Sequence, residues 1–298
     1  MTDINELNQK FGTAGRIAFR KSAYGMTEAV LVNGYGSCEI SLYGGQILNY
    51  RPTGHNPALF MSRESERKFG KQIRGGIPIC WPWFGAPPSK ELPRHGFARL
   101  MNWEILSSSY DSKMSEIIIG LQESEESLAI WPHKFELVQK ISISDNLSIE
   151  VTTFNKDNKP FEVSQSIHPY FKVRDIADTS VIGLENLTYT DLLSKKKETQ
   201  IGALCIKEET YYIYEGENQS CVIRDAGLKR NILITSTGMN KLAVWNPWEK
   251  KSKKLNDFGD DEYKKMITVA PVQTANSPIS VKPGEKVSIK TAIQVVLS

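Results

Sequence analysis

Residues 141–151 read ISISDNLSIEV, and this stretch decides the fold class. Apolar residues alternate with polar ones on both sides of Ser144-Asp145-Asn146. A period of two indicates a strand with one buried face, and two such runs around a short polar turn form a β-hairpin. The stretch therefore predicts two antiparallel strands that share a buried face.

The same alternation recurs along the chain. It returns at residues 287–295, and a second hairpin is predicted around Asn33-Gly34, a dipeptide that favours tight turns. Helical periodicity is weak, with two short candidates at residues 5–11 and 124–130. Many short strands separated by turn residues predict an all-β fold, either an antiparallel sandwich or a barrel.

The length and the spread of turn residues bear on domain organisation. The chain has 298 residues, and its 14 prolines and 21 glycines are distributed along it. No repeat, low-complexity stretch or linker is evident. Since all-β sandwiches reach this length as one unit, we expect a single domain over residues 1–298, with about residues 1–25 as an N-terminal lead-in.

Charge and apolar patterning exclude several classes of protein. The net charge is only +3, which argues against a nucleic-acid-binding protein, and the lysine runs at 195–197 and 250–254 are predicted to be solvated loops. There is no apolar stretch of signal-peptide or membrane-spanning length, and the four cysteines are far apart. We therefore expect a cytoplasmic protein with reduced thiols and no membrane partner.

Residues 73–85, IRGGIPICWPWFG, form the most informative segment. Gly75 and Gly76 allow the backbone to approach another group closely or to adopt a positive φ. Arg74, directly before them, can bind a phosphate or carboxylate in a bidentate manner. A tight bend packed by aromatic side chains, with Arg74 on the surface, is an equally good interpretation of this segment alone.

Residues 92–99, LPRHGFAR, combine two arginines with a histidine. Arg94 and Arg99 can hold the oxygens of a dianion, and His95 can donate a hydrogen bond to a sugar hydroxyl. The alternative is a surface loop with incidental arginines.

His168 lies in the alternating segment 166–171, SIHPYF. A lone histidine in a strand is more often a core residue than a catalyst, but this one is the best placed of four for acid–base chemistry. The histidines lack HxxxH or HxH spacing, so no metal site is expected. No Walker loop, GxGxxG or GxSxG motif is present, which excludes nucleotide-dependent and serine-hydrolase chemistry.

A fourth segment, residues 244–250, reads VWNPWEK, and the rings of Trp245 and Trp248 could stack on a sugar or pack against the protein. In order and spacing, RGGIPICWPWFG, LPRHGFAR, WPHKF at residues 131–135 and WNPW resemble the hexose-6-phosphate mutarotases, or glucose-6-phosphate 1-epimerases. These form a branch of the aldose 1-epimerase, or galactose mutarotase-like, superfamily. The resemblance extends from about Gly44 to the C-terminus.

The resemblance implies a large antiparallel β-sandwich that interconverts the α and β anomers of an aldohexose 6-phosphate without a cofactor. In the family a carboxylate takes the proton from the anomeric hydroxyl, and a histidine protonates the ring oxygen. Carried over to this sequence, His168 matches the catalytic histidine, and Arg74 and Arg99 match substrate-binding arginines. Arg94 occupies a neighbouring binding position, and His95 matches a histidine that contacts sugar in the superfamily.

Two positions depart from the family pattern. Ala270 stands where the family has its catalytic glutamate, and a methyl group cannot accept a proton. Tyr211 stands at an acidic substrate-binding position, although Glu208 and Glu209 are close by. The carboxylates that could replace the missing base are Asp257, Asp260, Asp261 and Glu249.

The sequence thus leaves two hypotheses. The first is an active hexose-6-phosphate mutarotase with a relocated base or a reduced rate. The second is a homologue that binds a sugar phosphate or carbohydrate without catalysis. In either case we expect a monomer whose partner is a small sugar phosphate, with neither cofactor nor metal.

Overall fold

Antiparallel strands dominate the structure, a computed structural model that describes residues 3–216 and 220–298. The strands are β1 Ile17–Lys21, β2 Thr27–Asn33, β3 Gly36–Ser41, β4 Gln46–Pro52, β5 Ile79–Cys80, β6 Glu104–Tyr110, β7 Ser115–Gln122, β8 Phe135–Ile143, β9 Leu147–Asn155, β10 Phe161–Val163, β11 Ser166–Ile167, β12 Tyr170–Lys172, β13 Thr179–Ile182, β14 Thr188–Asp191, β15 Lys197–Thr199, β16 Thr210–Glu215, β17 Ser220–Asp225, β18 Arg230–Thr237, β19 Lys241–Asn246, β20 Met266–Val272, β21 Ile279–Val281 and β22 Lys286–Leu297. The α-helices are α1 Ile4–Phe11, α2 Glu125–Ile130 and α3 Trp248–Ser252. Short 3-10 helices occupy Ala98–Leu100, Ile176–Asp178, Ala226–Leu228 and Glu262–Lys265.

Two large sheets organise these strands. Sheet I has the order β15-β14-β16-β19-β20-β11-β5, and β12 also pairs with β20. Sheet II has the order β13-β17-β18-β22-β9-β8-β7-β6, while β1–β4 form a four-stranded sheet and β10 pairs with β21. One continuous apolar cluster joins residues of both large sheets and of the four-stranded sheet. The prediction of a large antiparallel β-sandwich is confirmed.

The segments used for the sequence predictions fold as expected, with one correction. Residues 141–151 form the β8–β9 hairpin, and Asn33 ends β2 at the turn into β3. The loop prediction for the lysine runs is partly wrong, because Lys250 and Lys251 lie in α3 and Lys197 begins β15. The α3 turn forms because Asn246 Oδ1 accepts the Trp248 backbone N–H and Trp248 packs on Tyr263.

The expected N-terminal lead-in is integrated into the fold. It supplies α1 and β1, and β1 forms the edge of the four-stranded sheet. Leu7, Ile17 and Phe19 are buried, and the Asn8 side chain exchanges two hydrogen bonds of 2.8 Å with the backbone of Phe19. No helix in the described ranges has the length and apolar character needed to cross a bilayer.

Sheet I has two different faces, and this difference positions the site. Along β20, Ile267 and Val269 point into the main core, whereas Ala270 lies in a separate cluster on the other face. Strand β19 repeats the alternation, with Val244 in the main core and Ala243 beside Ala270. Because strand side chains alternate between faces, the second face of sheet I is free to form the floor of a binding pocket.

Candidate functional site

A pocket of about 330 Å³ lies over the second face of sheet I. It is lined by all five predicted site residues, namely Arg74, Arg94, His95, Arg99 and His168. A larger depression of about 520 Å³ surrounds Arg20, but that guanidinium is already paired with Glu28 and Glu39. The pocket over sheet I is therefore the place where the predicted residues converge.

The two glycines after Arg74 are required by the backbone. Gly75 has φ +117° and Gly76 has φ +60°, and a Cβ at Gly76 would collide with the carbonyl oxygen of Ile47. Only glycine adopts such angles without strain while passing so close to a neighbouring strand. The backbone N–H of Arg74 donates to Ser65 Oγ at 2.9 Å, which anchors the turn.

The Arg74 side chain is held from two sides. Its Nη1 donates to the Tyr170 hydroxyl at 3.1 Å, and its Nη2 donates to Asp257 Oδ1 at 3.0 Å. Asp257 Oδ2 in turn accepts from Gln72 Nε2 at 2.8 Å. Both oxygens of Asp257 are thus engaged, so this carboxylate orients Arg74.

Arg99 is a buried cation of a different kind. Its residue is only 9% exposed, and its Nη2 donates to the carbonyl oxygen of Arg94 at 2.6 Å. Its Nε has no hydrogen-bond partner, and within residues 3–216 and 220–298 no carboxylate forms an ion pair with it. Burial lowers the pKa of Arg99, in keeping with the cost of an isolated buried charge.

Two further cations line the pocket from more exposed positions. Arg94 is exposed, and the group that accepts the hydrogen bond from Arg99 is its backbone carbonyl, not its side chain. Lys251 of α3 is also exposed and lines the same pocket. The pocket therefore has one buried arginine, one half-buried arginine and two solvated cations around it, an arrangement suited to a dianion.

His95 is fixed by a pair of hydrogen bonds with Gly85. Its backbone N–H donates to the Gly85 carbonyl oxygen at 3.0 Å, and the Gly85 N–H donates to His95 Nδ1 at 3.1 Å. His95 has φ +60°, and Gly96 follows at φ +74°, where a Cβ would collide with the Trp81 carbonyl oxygen. Burial, then Arg99, lowers the pKa of His95 well below 6.5, so the imidazole is neutral.

His168 lies deeper, with 7% of the residue exposed. Its Nδ1 is 3.4 Å from Ser166 Oγ, and that hydroxyl donates to the Pro271 carbonyl oxygen at 2.8 Å. Burial, followed by the charges of Arg99 and Arg74, lowers the pKa of His168 to about 3. At neutral pH this imidazole is uncharged.

Strand register places Ala270 opposite His168. Ser166 pairs with Val272 and Tyr170 pairs with Thr268, so the same register places His168 opposite Ala270. Ala270 is fully buried in an apolar cluster with its β19 neighbour Ala243. A carboxylate at this position would have faced His168 directly, whereas the present floor is apolar.

The other polar candidates are arranged differently from the sequence expectation. Glu249 is paired with Lys253, Asp261 is paired with Arg63, and Asp260 is exposed, all outside the pocket. Among the residues that the structure describes, Glu209 is the acidic residue that lines the pocket. Its carboxylate has no hydrogen bond within the described ranges, so it is available to interact with a ligand in the pocket.

Aromatic residues complete the floor. Trp245 lines the pocket and meets Tyr170 edge to face at 6.0 Å, whereas Trp248 packs on Tyr263. Trp248 therefore packs against the protein, whereas stacking of Trp245 on a sugar stays a prediction. Tyr211 pairs with Trp245 across the β16–β19 ladder and also lines the pocket.

Sequence reasoning missed several pocket residues. Tyr170 had a readable signal, because it lies two residues after His168 and therefore shares its face of the strand. No sequence signal indicates that Gln72 and Lys251 line the pocket, because a loop residue and an exposed lysine are brought to it only by the tertiary fold. Asp257 was considered only as a base, and its role as a partner of Arg74 was not predicted.

Residues 28–294 match the family model for aldose 1-epimerase. A protein of Cenchrus ciliaris that carries the name "Putative glucose-6-phosphate 1-epimerase" is 36% identical over 93% of this chain and 87% of its own length. A protein of the same name from Escherichia coli (strain K12) is 32% identical over 77% of each chain.

A solved structure gives the same assignment. The crystal structure of a "putative mutarotase (YeaD)" from Salmonella typhimurium superimposes with a TM-score of 0.90 at 27% identity and covers 99% of both chains. The family model spans most of the chain, and the curated relatives exceed 30% identity over more than two thirds of it. On these grounds the chain belongs to the aldose 1-epimerase family.

Proposed function

We propose that this protein binds an aldohexose 6-phosphate in the pocket over sheet I and interconverts its α and β anomers. The observation that carries the proposal is the state of Arg99, a buried cation without a carboxylate partner in the described residues. An uncompensated buried charge is costly, and a bound anion supplies the missing counter-charge. The names of the curated relatives support a sugar 6-phosphate as that anion.

Arg74 and Arg99 are the proposed phosphate ligands. Arg74 is already oriented by Tyr170 and Asp257, so little side-chain entropy is lost when it binds. Charge-assisted hydrogen bonds of this kind contribute about 1.5–3 kcal/mol each. Arg94 and Lys251, at more exposed positions, would attract the dianion toward the pocket.

The rest of the pocket suits a sugar ring. Trp245 and Tyr170 offer aromatic surface to the apolar face of a pyranose, and His95 offers a hydrogen-bond donor. His168 is the proposed acid–base group, because ring opening requires one proton to leave the anomeric hydroxyl and one to reach the ring oxygen.

A second candidate function is binding of the sugar phosphate without catalysis. It is favoured by the buried, apolar environment of Ala270, which stands at the register position opposite His168. Loss of a general base typically costs about 10²–10⁴ in rate, and this could leave only the spontaneous reaction.

The experiment that separates the two candidates combines calorimetric titration with magnetisation transfer between the α and β anomeric protons of glucose 6-phosphate. We expect saturable binding and faster anomer exchange with the wild-type protein, and no acceleration with His168→Gln. Free glucose is the ligand control, since without a phosphate it should bind weakly. Binding without faster exchange would favour the second candidate, and absence of binding to any hexose phosphate would contradict both.

A further inference from the structure

We infer that the two pocket histidines divide the chemistry between them. His168 Nε2 takes the proton from the anomeric hydroxyl and returns it to the ring oxygen, while the His95 Nε2–H is a fixed donor to the ring oxygen. This inference rests on the proposed function and makes His168, instead of a carboxylate, the first proton acceptor. The sequence resemblance makes His168 the acid that protonates the ring oxygen, whereas here His168 first acts as a base toward the anomeric hydroxyl.

The tautomer of His95 follows from its backbone partner. A backbone N–H can only donate, so the bond from Gly85 N to His95 Nδ1 requires a lone pair on Nδ1. The single proton of the neutral ring is therefore on Nε2. Protonation of Nδ1 would break the bond to Gly85, which keeps His95 in this state.

The tautomer of His168 is the opposite one. Ser166 Oγ has one proton, and it is used in the 2.8 Å bond to the Pro271 carbonyl oxygen, which can only accept. Toward His168 the hydroxyl therefore presents a lone pair, and Nδ1 of the ring carries the proton. Nε2 of His168 is then a free acceptor.

Both imidazole rings line the same pocket. Neither Nε2 atom has a protein hydrogen-bond partner within residues 3–216 and 220–298, and neither is among the buried atoms sealed from solvent. Both rings line the pocket, with centroids 6.1 Å apart, and Phe84 packs against each of them. One acceptor and one donor are thus available to one ligand bound in this pocket.

The proposed step balances with one transferred proton. The O1–H bond breaks and an N–H bond forms at His168 Nε2, while the O1 electrons form the C1=O1 bond and the C1–O5 bond breaks. The charge that develops on O5 is stabilised by the His95 Nε2–H and is then neutralised by the proton from the His168 imidazolium. Rotation about C1–C2 and the reverse steps close the ring on the other face.

One histidine can serve both oxygens because O1 and O5 are bonded to the same carbon. The substrate phosphate assists, since it offsets the charges of Arg99 and Arg74 that disfavour the imidazolium. The carboxylates offer a weaker alternative. Both oxygens of Asp257 are engaged by Arg74 and Gln72, which leaves Glu209 as the competing base.

The direct test is long-range 1H–15N NMR of the full-length protein labelled with 15N-histidine, without ligand. The chain has only four histidines, so each signal can be assigned by replacing one histidine at a time. We expect a protonated Nε2 in His95 and a protonated Nδ1 in His168. The same tautomer in both rings, or the reverse assignment, would overturn the inference without any assay of turnover.

Ser166→Ala tests Ser166 as a positioning residue. Removal of the acceptor should move His168 toward its Nε2–H tautomer, and it should lower kcat for anomer exchange at least fivefold with little change in KM. A merely structural role would lower stability without changing the tautomer. An unchanged His168 signal together with an unchanged kcat would contradict the inference.

The choice of base is tested by paired variants, His168→Gln and Glu209→Gln. We expect His168→Gln to lose about 10²-fold or more in kcat, the scale of a lost acid–base group, and Glu209→Gln to lose at least tenfold less. Exchange that survives His168→Gln but not Glu209→Gln would overturn the inference and leave the proposed function intact. Absence of accelerated exchange in the wild-type protein would instead overturn the proposed function, and the proton transfer with it.

Discussion

Two regions of the same pocket differ in polarity: one contains charged arginine side chains and the other is an apolar floor. The arginine region, Arg74 and Arg99, consists of half-buried and buried charge held by hydrogen bonds to Tyr170, Asp257 and a carbonyl group. The floor on sheet I, around Ala270, consists of a cluster of buried apolar side chains. The arginines thus have several polar partners, whereas an apolar side chain lies opposite His168 on the floor.

The difference separates binding from catalysis. Anion binding depends on charge and on several redundant contacts, so it tolerates changes elsewhere in the pocket. Proton transfer depends on one group at one position, and the methyl group of Ala270 cannot be that group. The following changes to each region are ordered by the size of the expected effect.

The largest effect is expected from Ala270→Glu, which returns a carboxylate to the position opposite His168. Anomer exchange of glucose 6-phosphate, measured by magnetisation transfer, should become faster than in the wild-type protein. The expected gain is about 10²–10⁴-fold if the wild-type protein has no working base. The gain is smaller if His168 already accepts the proton. The free energy of unfolding should fall by several kcal/mol, because the new carboxylate is buried in an apolar cluster.

Ala243→Glu is the matched control for that variant. Ala243 is the β19 neighbour of Ala270, is equally buried and belongs to the same cluster, but it lies one strand further from His168. It should show the loss of stability without the gain in rate. An equal gain in the rate of anomer exchange in both variants would mean that the effect of a carboxylate does not depend on its position opposite His168.

The second effect concerns the arginine region. Arg99→Met should weaken glucose 6-phosphate binding by roughly 10- to 100-fold, the loss of one charge-assisted contact, as measured by calorimetric titration. The free energy of unfolding should stay the same or rise, because no buried ion pair is broken and an isolated charge is removed.

Arg230→Met gives the contrasting control. Arg230 is buried beside the fully buried Asp225 and donates to the carbonyl oxygens of Asn56 and Lys172, outside the pocket. Its loss should cost about 3–5 kcal/mol of stability, because Asp225 is left unpaired. A strong loss of stability in Arg99→Met as well would show that Arg99 is structural.

The last expected effect is a pH dependence of stability. Burial and the two arginines lower the pKa of His168 to about 3 in the folded protein, against about 6.5 in the unfolded chain. Between about pH 6.5 and 3, His168 is protonated in the unfolded chain but stays neutral in the folded protein. The free energy of unfolding therefore decreases as the pH falls from about 6.5 toward 3.

Urea unfolding at pH 7, 6, 5 and 4 measures this slope. His168→Gln should flatten it, and Arg99→Met should flatten it in part, because one of the charges that disfavour the imidazolium is removed. His55→Gln controls for the removal of an imidazole outside the pocket. Identical slopes in wild type and His168→Gln would contradict the assignment.

Much of the fold could be predicted because strand alternation is a local property. The β8–β9 hairpin and the turn after Asn33 are both specified by neighbouring residues. The exceptions have nonlocal causes. The lysine run at 250–254 enters α3 because Trp248 packs on Tyr263, a contact across a connection that the local pattern does not encode.

The site was predictable as a set of residue types but not as an arrangement. Arg74, His95 and His168 lie in recognisable motifs, and all line the pocket. That Asp257 orients Arg74, and that Glu209 approaches the same pocket, could not be read from sequence. Each depends on loops brought together by strands that are far apart in the chain.

By itself, the sequence determined the all-β class, the motifs that carry the charges, and the absence of a glutamate at Ala270, because these are properties of residue type and short-range period. The tertiary structure decided which face of sheet I holds the pocket and that Ala270 lies opposite His168. It also decided which nitrogen of each histidine is free, since the partners of His95 and His168 are a backbone amide and a hydroxyl supplied by folding. A proton's location depends on those contacts, and contacts between distant segments exist only in the folded chain.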